Sequence, residues 1–192
     1  MVRDTSPVMS QQSGDDPEPQ SVLLAFRLAA VFLVVSVNDR PGAAERVRDA
    51  AADINALARA VGFRQSTTAL SCVVGFGSSY WDRIRPAGAP RPAGLHPFRP
   101  ITGAVHHAPA TAGDVLFHIR ADRNDLAFEL SRQIMAVIGP WVSVQDHVTG
   151  FRYFDARDLL GFVDGTENPT GRAAVAAALI ADASLISGTA AT

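Results

Sequence analysis

With 192 residues and an apolar fraction of 47%, the chain can build one substantial core, and is long enough for one domain or one domain and part of a second. Its formal net charge of −2 gives no electrostatic basis for binding nucleic acid or an acidic membrane surface. One cysteine, Cys72, excludes an internal disulfide framework and fits a reducing compartment.

Residues 1–19 carry Asp, Ser, Gln and Pro and read as a disordered tail. They show neither a basic-then-apolar signal pattern nor a twin arginine, so the expected location is cytoplasmic. The longest apolar run, Leu28 to Val37, is about half of what a membrane-spanning helix needs. Val31 to Val37 is short and rich in β-branched residues, which predicts a buried strand. Pro41 then opens a helix over 41–61, with Val47, Ala50, Ile54, Leu57 and Val61 on one face and Gly62 at its end. Leu70 to Gly75 is a second strand, and Cys72 within it reads as a small buried hydrophobe.

Six prolines between Gly77 and Gly113 (Pro86, Pro90, Pro92, Pro97, Pro100 and Pro109) predict a mostly irregular connection. It is too long to hang free, so it packs over the surface or serves function, with Trp81 anchoring one helical turn. His106 and His107 are adjacent and would point to opposite sides of an extended chain, so they read as loop residues rather than a shared metal site.

The strand-helix-strand order then repeats. A strand starts at Asp114, with Val115, Phe117 and Ile119 alternating against Leu116, His118 and Arg120. A helix over 122–138 follows, with Asp122 as N-cap, Asp125 in the first turn and a buried stripe of Leu126, Leu130, Ile134 and Val137. Gly139-Pro140 stops it, and Val142, Val144 and Val148 share one face of a last strand, with His118 and His147 as sheet-face histidines. Two such units predict an α+β, ferredoxin-like domain: one antiparallel sheet with both helices on the same side.

The most specific stretch comes next: Leu160-Gly161-Phe162-Val163-Asp164-Gly165-Thr166-Glu167-Asn168-Pro169. It sets one carboxylate between two glycines after an apolar approach. Glycine permits backbone geometry and close approach that a Cβ forbids, and an acid held near apolar surface tends to have a raised pKa, which suits proton transfer. Read without the rest of the chain, the same residues are an Asp-Gly turn after a strand.

Gly161-Phe162-Val163-Asp164-Gly165 resembles the GxxDG signature of the dye-decolourising (Dyp-type) heme peroxidases, and Thr166-Glu167-Asn168-Pro169 continues it. Further segments resemble the bacterial B-type branch: Gln20-Ser21-Val22-Leu23-Leu24, Leu70 to Gly75, Leu95-His96-Pro97-Phe98, Ala110 to Asp122, and Gly150-Phe151-Arg152-Tyr153-Phe154-Asp155. The resemblance runs from about Gln20 to about Ala181. It implies a dimeric α/β-barrel type of ferredoxin-like domain over 20–155, then, over 156–192, the motif and the truncated start of a second such domain. It implies heme b as cofactor, hydrogen peroxide and small aromatic substrates such as dyes or phenols, no nucleic-acid or membrane partner, and a homo-oligomer when intact.

By the same resemblance Asp164 is the catalytic distal acid–base group, and Gly165, Thr166 and Glu167 lie against the heme edge. Gly161 is structural. The family's proximal histidine and distal arginine lie well C-terminal of the motif. Here His96, His106, His107, His118 and His147 all precede it, and only Arg172 follows, so no metal ligand is assigned. Arg172 to Ile180 can begin a helix, and Ser184 to Thr192 has no periodicity. The expectation is a truncated N-terminal part of a peroxidase, inactive alone, without a defined heme spectrum, and poorly soluble or oligomeric through unpaired strands. The alternative is a non-catalytic ferredoxin-like relic that kept a binding or dimerisation surface. A phosphatase of the DxDGT type is excluded by Phe162, which stands where the nucleophilic aspartate belongs.

Overall fold

The computed structural model describes residues 20, 22–24, 26–64, 69–163 and 165–179. The expected disorder of 1–19 and the aperiodic tail from Ser184 lie outside the described residues. The elements run β1 (Ala29–Val37), α1 (Ala43–Ala52), α2 (Ile54–Gly62), β2 (Leu70–Phe76), α3 (Ser78–Ile84), β3 (Ile101–Thr102), β4 (His107–Ala108), β5 (Val115–Ala121), α4 (Asn124–Ile138), β6 (Val142–Phe151) and α5 (Gly171–Ala178). Four strands form one antiparallel sheet in the order β2-β5-β1-β6, the ferredoxin-like arrangement expected from the two strand-helix-strand units.

Alternation along β1 explains why this sheet forms. Ala29, Val31, Leu33, Val35 and Val37 are buried, while Ala30, Phe32 and Val34 face the other way and stay partly accessible. Val115, Phe117 and Ile119 of β5 and Cys72 and Val74 of β2 extend the buried side. Against it pack Val47, Ile54 and Ala58 from α1 and α2, and Leu126, Leu130, Ile134 and Ile138 from α4. Burying each such aliphatic side chain is worth about 1.5–3 kcal/mol, so this single apolar layer dominates stability. Cys72 sits in it, and burial pushes its thiol up to about 12.

Several details depart from the sequence reading. The helix expected over 41–61 starts at Ala43, after Gly42 turns the chain at φ 81°, and breaks at Asp53 (φ −84°, ψ 1°) into α1 and α2. Asp122 does not cap α4. Its carboxylate accepts from the Ala69 N–H at 3.0 Å and pairs with Arg27 at 3.5 Å, and the helix begins two residues later. The α4 stripe ends on Ile138, not on Val137, which is 54% exposed, because the i+4 step from Ile134 stays on the buried face and the i+3 step leaves it. In β6 the pairing slips: Val35 faces Val144 but Val34 faces Asp146, which leaves Gln145 as an extra residue. That bulge puts Val148 opposite Phe32 on the open side of the sheet, away from Val142 and Val144. His147 therefore turns toward α4, with Nε2 3.5 Å from Ser131 Oγ.

The long connection is mostly irregular, as expected, but it carries the seven-residue α3 and a small hairpin of β3 and β4. His107 lies in that hairpin, its Nδ1 3.0 Å from Thr102 Oγ1. The two ends of the connection meet where the Gly77 N–H donates to the Asp114 carbonyl at 2.8 Å; a Cβ on Gly77 would come within 2.9 Å of the Gly113 oxygen. Tyr80, rather than Trp81, is the anchor of α3. It is fully buried, its hydroxyl donates to the Ala44 carbonyl at 2.8 Å, and burial pushes its pKa up to about 12. Tyr80→Phe keeps the packing and removes this bond between α3 and α1, so urea denaturation should show a loss of about 1 kcal/mol. An unchanged midpoint would mean that the hydroxyl does not tie α3 to α1.

Candidate functional site

The chain leaves the sheet beside the point where it came in: the Arg152 N–H donates to the Leu28 carbonyl at 2.9 Å. The segment before β1 is fixed to the sheet by polar side chains. The Gln20 amide bonds both N–H and carbonyl of Val74, at 2.5 and 3.1 Å, and Arg120 donates to the Leu24 carbonyl at 2.8 Å.

Beyond Arg152 the backbone folds into a tight loop. Tyr153 bridges Arg157, and Arg157 bridges Val163. Phe154 and Ala156 adopt left-handed φ values of 43° and 67°, and the motif glycines Gly161 and Gly165 take 96° and 77°. At the last two positions a side chain would be strained, which supplies the physical reason for glycine at both ends of the motif. A Cβ on Gly165 would also stand 3.0 Å from Asn168 Nδ2.

Almost no burial holds this loop: Leu159, Leu160 and Phe162 are 76%, 83% and 70% exposed. Hydrogen bonds hold it instead. The Asp158 carboxylate accepts from the N–H groups of Leu160 (2.9 Å) and Phe162 (3.0 Å), and the Asp158 N–H donates to the Phe162 carbonyl at 2.9 Å. Arg157 donates to the Gly161 carbonyl at 2.8 Å, while Asp155 grips the same guanidinium at 2.6 and 3.2 Å.

The loop forms one wall of a groove of about 550 Å³. Phe26, Ala30, Phe32, Phe151 and Tyr153 give it an apolar lining, and Arg27, Arg152 and Arg157 contribute positive charge. Gly165 lines it too. Thr166 and Glu167 are exposed and outside the lining, and Asp164 lies outside the described residues. Apolar walls with arginines fit a planar apolar cofactor that carries carboxylates. Among the described residues that border the groove there is no histidine or cysteine, and Tyr153 is the one side chain of a type that can ligate heme iron. Among the described residues, no three or more His, Cys, Asp or Glu side chains cluster closely enough to hold a metal ion. None of the described helices is long and apolar enough to cross a membrane.

The groove residues were invisible to sequence periodicity, since Arg27, Arg152 and Arg157 sit outside the core pattern. A usable signal did exist at Asp158: an aspartate three residues before a glycine is a turn-forming arrangement.

Residues 19–152 match the Dyp-type peroxidase N-terminal family, and residues 155–190 match its C-terminal counterpart. The chain belongs to the Dyp-type peroxidase family. It is 53% identical over 167 residues to the dye-decolorizing peroxidase of Brevibacterium linens, covering 87% of this chain and 44% of that protein. DyPB from Rhodococcus jostii RHA1 superposes with a TM-score of 0.78 at 51% identity, over 83% of this chain and 50% of that one. A variant of the R. jostii protein in complex with heme superposes equally well, with a TM-score of 0.78 at 51% identity, over 82% of this chain and 50% of that one. The chain thus spans about half the length of the relatives it matches.

On the open side of the sheet His118 stacks on Phe32, with ring centroids 4.3 Å apart and planes 15° from parallel. Burial, and then the nearby Arg120 charge, hold its pKa below the usual 6.5. The unfolded chain protonates this imidazole near 6.5 and the folded one only at lower pH, so folding loses stability as pH falls through that window and is unaffected above it. His118→Leu should therefore reduce the acid-side loss of stability in urea titrations run at about pH 7.5 and about pH 5.5. An identical pH dependence in both proteins would contradict a neutral, stacked His118.

Proposed function

We propose that the full-length protein is a heme-dependent peroxidase of the dye-decolourising type, reducing hydrogen peroxide while oxidising dyes or phenolic compounds, with Asp164 as its acid–base residue. The observation that carries this reading is the motif loop: both glycines flanking Phe162-Val163-Asp164 sit in left-handed backbone, beside an apolar, arginine-bearing groove. Membership of the family supports the same reading.

Heme b, when bound, supplies the redox-active iron. The contribution of this chain is proton handling and placement. A carboxylate at Asp164 would accept the proton from one peroxide oxygen and return it to the departing oxygen, which would leave as water, with the two electrons for that cleavage drawn from the heme when it is bound. Gly165 has no side chain to keep the backbone away from a flat cofactor. With Thr166 and Glu167, which are exposed beside the groove rather than in its lining, it would form the stretch along the heme edge. In the family the iron ligand and the charge-stabilising arginine lie C-terminal of the motif, and the relatives this chain matches are about twice its length, which supports the same placement in the full-length protein.

We further assign residues 20–155 to the N-terminal domain and 156–192 to the motif and the start of the C-terminal domain, a division supported by family matches that end at 152 and resume at 155. A cytoplasmic location is supported by the single buried free thiol of Cys72. Homo-oligomer formation is supported by β6, an edge strand whose residues 143–149 are all exposed.

In the full-length, heme-loaded protein, Asp164→Asn should slow the peroxide reaction by about a hundredfold or more, since an amide cannot take up the proton. Stopped-flow spectroscopy reads this directly. An unchanged rate would remove Asp164 from the role.

A further inference from the structure

The loop that leads into Asp164 has an unusual construction. Within this chain its apolar side chains are exposed, and two non-glycine residues stand at positive φ, so neither packing inside the chain nor backbone preference gives it a shape. What remains is a frame of directed polar contacts, made by charged side chains together with a few backbone bonds such as the Gly161 N–H on the Asp158 carbonyl at 3.1 Å. Asp158 holds the N–H groups of Leu160 and Phe162 and closes a reciprocal backbone bond with the Phe162 carbonyl. Arg157, oriented by Asp155, holds the Gly161 carbonyl and bridges Val163. Every residue from Leu160 to Val163 therefore has at least one backbone contact to Arg157 or Asp158.

We infer that Asp158 and Arg157 are positioning residues that fix the backbone of Leu160 to Val163, from which the chain runs into Asp164, an inference that rests on the acid–base role proposed above. Asp158 does most of this work, because one carboxylate oxygen gathers two N–H groups from alternate residues and leaves Gly161 between them in its left-handed turn. Such charge-assisted bonds to backbone N–H groups are stronger than neutral ones. Removing the carboxylate releases the turn, and a catalytic group misplaced by about 1 Å loses about a hundredfold in rate. Arg157 acts on the other side of the turn, and its planar fork satisfies Asp155 and the Gly161 carbonyl together, which lysine cannot do.

The test uses the full-length, heme-loaded protein with Asp158→Ala, Asp158→Asn, Asp164→Asn and the double variant Asp158→Ala/Asp164→Asn. Asp158→Ala should slow the peroxide reaction at least about tenfold, with Asp158→Asn recovering much of it because an amide oxygen still accepts both N–H groups. In the Asp164→Asn background Asp158→Ala should add nothing, since residues acting through one group are not additive. Independently of turnover, amide hydrogen exchange at Leu160 and Phe162 should accelerate at least about tenfold in Asp158→Ala and stay near wild type in Asp158→Asn. Unchanged exchange, or an equal slowing by Asp158→Ala in both backgrounds, overturns the inference. If Asp164→Asn alone has no effect, the acid–base assignment fails instead, and exchange at Phe162 still decides whether Asp158 builds the frame.

Discussion

Strand β1 is the constraint on which the rest of the molecule depends. Among the described residues it is the only strand paired to β6, and its other edge pairs β5 from Ala29 to Val35, so both rows of its backbone groups are used. Its alternate residues Val31, Leu33, Val35 and Val37 form the floor on which the helices rest. Both ends of the functional segment are referred to it. The chain before β1 carries Phe26 and Arg27 into the groove, and the chain after β6 turns back onto Leu28 before entering the motif loop.

Two kinds of physics meet at that point. Up to Phe151 the fold is held by burial, with side chains such as Phe117, Ile119 and Leu130 fully excluded from water. From Arg152 onward it is held by directed polar contacts, and α5 buries none of its residues. Burial is tolerant of sequence and fixes a scaffold. Hydrogen bonds to particular backbone groups fix a conformation. The division follows the two family matches, one on each side of residues 153 and 154.

Much of the scaffold was legible because two periodicities carry it. Alternation marked β1 and β5, and a helical stripe marked α4, so the strand-helix-strand order could be read directly. Errors came where one local contact overrules the period. The bulge at Gln145 moves Val148 to the opposite face, which no count of alternate residues reveals. Asp122 has the residue type of a helix cap but is taken by the Ala69 N–H, a partner 53 positions away. Tyr80 and Trp81 are indistinguishable by composition, and only the Ala44 carbonyl chooses between them. At the site, Gly161 and Gly165 stand out because glycine marks left-handed backbone, whereas no periodicity marks Arg157, and only its spacing to Gly161 marks Asp158.

Within this chain the shape of the motif loop is set locally, independent of core packing. Native-state hydrogen exchange on a mild core variant tests it most directly. Phe117→Leu disturbs a fully buried side chain and costs about 1 kcal/mol. Amides of β1 and β5 should lose protection in proportion, because they open only with the core, while those of Leu160 and Phe162 should exchange as in the wild type. If protection at Phe162 falls in step with that of the sheet, the loop is held by the core rather than by Asp158 and Arg157, and the account is wrong.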